Sequence, residues 1–149
     1  MVLELGENSY VEVEDADEYF AAHLFSNAWD ISALEIKEKA LLHACRNIEA
    51  LVLRGSKTSS LQLMQFPRDG DLKIPTAIKD AQCEEAIALL EVGDSYRYKL
   101  QKQGVKQMQI GGPSGTQEQF SRVGAKRLIS DEAKFLLAAW ILGAVKTSR

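Results

Sequence analysis

Apolar residues return at three- and four-residue steps in four stretches of the chain, and between them the pattern breaks for two long intervals. Ala16, Tyr19, Phe20 and Leu24 share one face of a helix expected over Asp15 to Leu24, whose acidic start suits the positive end of a helix dipole. Ser32 and Glu35 have capping-box spacing, and Ile36, Ala40, Leu41, Ala44, Cys45, Ile48, Leu51 and Val52 continue a stripe. That predicts a central helix to Leu53, with Glu35 and Lys39 paired across one outer turn. A third stripe, Ile78, Ala81, Gln82, Ala86, Leu89 and Leu90, follows Pro75 and stops at Gly93. The last, Phe135, Leu136, Leu137, Trp140 and Ile141, follows a Ser130 cap and predicts a C-terminal helix over 130–143, with a short basic tail to Arg149.

The intervals carry their own signals. In Arg54 to Lys73, Pro67 pushes Phe66 out of the helical region and Asp69-Gly70 is a turn dipeptide. Phe66 is expected to plug this loop onto the core helices, leaving Lys57 to Gln62 projecting. After Tyr96 to Lys102, with room for one or two more helical turns, Val105, Gln107 and Gln109 alternate with Lys106, Met108 and Ile110. The break at Gly111-Gly112-Pro113 makes 104–122 a strand and turn, a polar β-ribbon or hairpin arm. So polar a ribbon buries little by itself, which predicts an arm that orders against a neighbouring subunit. The fold class is therefore mainly α: one domain over 1–149, a small bundle of about four helices with a long inter-helix loop and the ribbon arm.

Composition narrows the reading. A hydrophobic share of 46% fits one modest core. Lys and Arg number 18 against 21 Asp and Glu, and the net charge of -3 argues against strong sequence-independent DNA binding. The longest apolar run, Phe135 to Val145, falls well short of the ~18 residues a membrane span needs. With no basic-then-apolar start, the expectation is a protein made in the cytoplasm and not associated with membrane.

Candidate chemistry is sparse. Cys45 and Cys83 lie in helical patterns without metal-ligand spacing and read as unbridged core residues. His23 and His43 stand on separate helices and read as structural or solvated. GGPSG at Gly111 to Gly115 lacks the Lys-Ser/Thr of a P-loop. Glu84 and Glu85 are adjacent, so they point about 100° apart instead of converging as an acid-base pair. Glu12, Glu14, Asp15, Asp17 and Glu18 suit a solvated helix start, and Arg122, Lys126 and Arg127 a solvated rim with some reach for phosphate. No catalytic, cofactor-binding or metal constellation is expected, and the chain does not read as an enzyme.

Taken in order, N-S-Y-V at Asn8 to Val11, D-A-D-E-Y-F at Asp15 to Phe20, F-P-R at Phe66 to Arg68, I-P-x-x-I-K-x-A-x-x-E at Ile74 to Glu84 and S-D-E-A-x-x-L-L at Ser130 to Leu137 resemble the head-tail connector proteins of tailed bacteriophages. Relatives there often carry the label DnaT-like single-stranded-DNA-binding protein. The resemblance implies a non-enzymatic structural virion protein of the phage neck, made in the bacterial host cytoplasm. It would be an adaptor or head-completion protein assembling as a dodecameric ring beneath the portal protein. It would extend the channel for genomic double-stranded DNA, without sequence-specific binding, and meet tail, stopper or tail-terminator proteins. On this reading Val105, Met108, Ile110 and Phe120 lie at a subunit interface. Leu136, Trp140, Lys146 and Arg149 dock the portal, unless the C-terminal stripe simply packs on the central helix. The alternative is a DnaT-like single-stranded-DNA-binding replication accessory, which needs a positive groove with aromatic platforms.

Overall fold

The computed structural model describes residues 2–93, 107–110, 116–119 and 128–141. Among them are helices α1 (Val13–Ala21), α2 (Asn27–Asp30), α3 (Leu34–Glu49) and α4 (Thr76–Val92), strands β1 (Gln107–Ile110) and β2 (Thr116–Gln119), and helix α5 (Asp131–Leu136). The mainly helical class, the long loop between α3 and α4 and the hairpin all follow the sequence pattern.

α4 is the centre of the molecule because it is apolar around most of its circumference: Ile78, Ala81, Cys83, Ala86 and Ile87 are all buried. Its C-terminal half packs with the start of α3, α1 and α2 through Cys83, Ala86, Ala40, Leu41, Phe20 and Trp29. Its N-terminal half packs with the end of α3, the loop and α5 through Ile78, Cys45, Ile48, Phe66 and Leu137. α3 and α4 therefore run antiparallel. Gln82, fully buried, ties the N-terminal segment to them: its amide oxygen accepts the Tyr10 N–H (2.9 Å), and Nε2 donates to Ser9 Oγ (2.7 Å) and the Leu41 carbonyl (2.9 Å). A buried amide is tolerated only with its donors and acceptor so filled.

Several expectations are corrected. α1 begins at Val13 and ends at Ala21, leaving Leu24 exposed. The place expected for Leu24 is taken by Trp29 of the short α2, whose ring lies 4.8 Å from that of Phe20 and whose indole N–H donates to Asp17 (2.8 Å). α3 starts without a side-chain cap, because the Ser32 hydroxyl donates back to the Ala28 carbonyl (2.7 Å). Ile36 is exposed, while Glu35 does pair with Lys39 (2.8 Å). α3 also ends at Glu49 with Val52 exposed, since the chain turns to let Leu53 bridge Ile141 and the Arg54 N–H donate to the Trp140 carbonyl (2.6 Å). That same bridging stops α5 at Leu136, well short of 143, and Leu89 of α4 is only half-buried. The two thiols are free and buried, as expected, and burial pushes each up to about 12.

Candidate functional site

The loop between α3 and α4 is stapled at both ends. Phe66 is the plug the pattern predicts, buried edge-on between Tyr10 (6.0 Å) and Trp140 (5.6 Å). Fully burying such a ring is worth about 1.5–3 kcal/mol. The Tyr10 hydroxyl donates to Glu49 and accepts the Phe66 N–H (3.3 Å), and the Gln65 N–H also reaches Glu49 (3.0 Å). Burial raises the Glu49 carboxyl above its ordinary range, opposed by these hydrogen bonds. Arg68 is buried with its guanidinium spent on the loop itself, donating to the carbonyls of Arg54 (2.9 Å) and Gly55 (2.6 Å) and to Gln65 Oε1 (2.7 Å). So held, the loop presents Leu61, Leu63 and Leu72 to solvent.

A second feature is one the residue types themselves do not signal: both Glu84 and Glu85 are buried. Their divergence on α4 sends them to opposite tasks. Glu85 accepts from Asn47 Nδ2 (3.0 Å) and from the Ile129 (3.0 Å) and Ser130 (2.9 Å) amides, anchoring the start of α5. Glu84 accepts from the Tyr19 hydroxyl (2.5 Å) and meets His23 Nε2 (3.1 Å). The Phe25 N–H donates to His23 Nδ1 (3.2 Å), which leaves Nε2 as the ring nitrogen that donates toward Glu84. Burial together with Glu84 pushes the Tyr19 phenol and the Asp80 carboxyl up.

Glu84 sits in a cavity of about 330 Å³ with Phe25, Ile87 and Val92 as apolar wall and Glu91, Asp131 and Glu132 as rim. An adjoining cavity of about 440 Å³ shares Glu84, Asp131 and Glu132 and extends past the exposed Phe135. The two form one groove between the turn after α1, the end of α4 and the start of α5. Lys134, paired to Asp131 at 3.1 Å, is the one cation in an ion pair along this rim among the described residues. The carboxylates do not converge: among the described residues no group of three or more His, Cys, Asp or Glu is placed to hold a metal ion.

Of the residues singled out in the sequence, Met108 and Ile110 lie in β1, in register with Glu118 and Thr116 of the antiparallel β2. Leu136 and Trp140 pack against the loop side of the core, and the large side chain left exposed on α5 is Phe135. Val105, Phe120, Lys146 and Arg149 lie outside the described residues, as do the turns expected over Tyr96 to Lys102. No described helix is long and apolar enough to cross a membrane.

Compared with known families, residues 3–136 match the family described as "Putative DnaT-like ssDNA binding protein". No curated protein and no solved structure matches the chain.

Proposed function

The chain belongs to this DnaT-like family, whose match spans nearly all of it, and from that premise we propose that it binds single-stranded DNA, without catalysis, through the segment that carries the hairpin. The observation that supports this is how charge is divided. Residues 1–93 hold 17 Asp and Glu against 8 Lys and Arg, whereas residues 94–127 hold 7 Lys and Arg against 2 Asp and Glu. The chain total of -3 conceals that division, so the argument against DNA binding from net charge applies only to the helical body. Within the basic segment Tyr96, Tyr98 and Phe120 stand among Arg97, Lys99, Lys102, Lys106, Arg122, Lys126 and Arg127. Cations for the backbone interleaved with aromatics for base stacking are what single-stranded binding requires.

The test is fluorescence anisotropy with a labelled oligothymidine and a duplex of similar length, at about 50 and about 200 mM salt. Binding of the single strand that weakens steeply with salt, and weakens further in Arg97→Gln/Lys99→Gln/Arg122→Gln/Lys126→Gln, is expected. Absence of binding at low salt, or equal affinity for the duplex, overturns it.

A second reading rests on the outward Leu61, Leu63 and Leu72 and on a hairpin whose strands, among the described residues, pair only with each other. Such surfaces suit subunit contacts, and with the motif order they support a ring-forming head-tail adaptor of the phage neck. The family match favours the first reading over this one. Rings seen by negative stain when the chain is mixed with a portal protein, together with no oligonucleotide binding, would reverse that order.

A further inference from the structure

The groove beside Glu84 has an occupant that its chemistry defines. We propose that it is a docking site for the basic segment of a second copy of this chain, joining copies head to tail. Three observations converge. First, Glu84 is buried, and among the described residues its carboxylate meets the Tyr19 hydroxyl and His23 Nε2 and no Lys or Arg; a buried carboxylate is stabilised by a cation brought alongside it. Second, the rim carboxylates of Glu91, Asp131 and Glu132 are spread around apolar walls instead of converging, and Phe25 is 73% exposed. That shape suits an aliphatic stem ending in a cation, with the Phe25 ring as a face for it, better than a bare ion. Third, Tyr96-Arg97-Tyr98-Lys99-Leu100 alternates cations with apolar side chains, so it brings both the charge and the apolar surface that the groove suits.

Such an interface is heterologous: the groove of one copy takes the basic segment of the next, so copies add in one direction. It goes beyond DNA binding but draws on some of the same cations, and the two are separable because the groove carboxylates belong only to the association.

The experiment is sedimentation velocity of the full chain without nucleic acid, with three variants. Glu91→Gln/Glu132→Gln, both exposed side chains, should weaken self-association at least about tenfold. Glu14→Gln/Glu18→Gln removes equal charge from the exposed face of α1 and should leave it unchanged. Arg97→Gln/Lys99→Gln/Lys102→Gln should weaken it as much as the groove pair does. Mixing the groove variant with the basic-segment variant restores one sound groove and one sound segment, so a dimer should form where neither variant alone forms one. The groove variant should also keep its oligonucleotide affinity, whatever that affinity is. A monomeric parent, a groove variant that associates like the parent, an α1 variant that loses as much, or a mixture that stays monomeric overturns the proposal.

Discussion

The carboxylate of Glu85 accepts the backbone N–H of Ser130 at 2.9 Å, and through that bond a fully buried charge on α4 sets where α5 begins. The Ile129 amide and Asn47 Nδ2 fill the rest of the carboxylate, and Ser130 Oγ then caps the Ala133 N–H (3.1 Å). Glu85→Gln turns an amide NH2 toward donors, leaving at least one of them unmatched. The expected loss is about 1–3 kcal/mol in urea denaturation, with faster hydrogen exchange at Ile129 and Ser130. A variant as stable as the parent would show that α5 is held by packing alone.

Glu49 gives stability a pH dependence of defined sign. Burial raises its pKa in the folded state above the ordinary 4.5, so the folded chain holds this proton more tightly than the unfolded one. Its contribution is present below 4.5 and is lost as pH rises through the raised value. Thermal melts in steps from pH 4 upward should therefore show a decline that is absent in Glu49→Gln. Equal profiles for parent and variant would mean that the Tyr10 and Gln65 hydrogen bonds cancel the burial.

Two glycines of the stapled loop should respond differently to alanine. Gly55 has φ +75°, and a Cβ there would collide with the Asp69 carboxylate, which accepts the Ser56 N–H (3.0 Å). Gly70 has φ +86° with open space around it. Gly70→Ala should carry only the left-handed backbone cost of about 1–2 kcal/mol, and Gly55→Ala more, because the Asp69 bond must break as well. Equal losses would place the constraint in the backbone alone.

What was legible in the sequence follows what leaves a local trace. Phe66 could be read as a plug because Pro67 and Asp69-Gly70 fix a turn around it, and Ser130 as a cap because a helix start needs an acceptor three residues ahead of an amide. Trp29 was missed because a four-residue helix is shorter than the window over which a period shows, and the stripe of α1 was carried on to Leu24 instead. The burial of Glu84, Glu85 and Arg68 had no signal in their own letters; for the two glutamates one lay in their neighbours, since Cys83, Ala86 and Ile87 make α4 apolar around them. The charge division was in plain view and was lost by summing over the whole chain.

Trp140 packs on the core, and Phe135 of the same stripe faces solvent. Trp140 stacks edge-on against Phe66 at 5.6 Å, so Trp140→Ala should cost about 3–5 kcal/mol and loosen the loop. Phe135, 82% exposed, should cost less than about 0.5 kcal/mol when truncated. Any docking by the C-terminal end is therefore tested with Phe135→Ala, which leaves the fold intact. A Trp140→Ala variant of parental stability would return that residue to the list of surface anchors.

The hairpin should be separable from the body. β1 and β2 pair from Gln107 with Gln119 to Ile110 with Thr116, and six of those eight residues are polar. A lone two-stranded ribbon is marginal in water, so its pairing contributes little to the stability of anything else. Among the described residues, both core clusters are built from the N-terminal segment, the helices, the stapled loop and the stretch around α5. Deleting Met108 to Gln117 should therefore shift the stability of the helical body by less than about 0.5 kcal/mol. It removes no charged residue, so the neighbouring basic residues keep their charge. If the hairpin presents those cations to DNA, oligonucleotide affinity should still fall, because the strand pairing from Gln107 with Gln119 to Ile110 with Thr116 is lost. A deletion variant that unfolds at lower urea would put the ribbon in the core. One that is stable and binds DNA like the parent would show that the charge of the segment suffices without its strands.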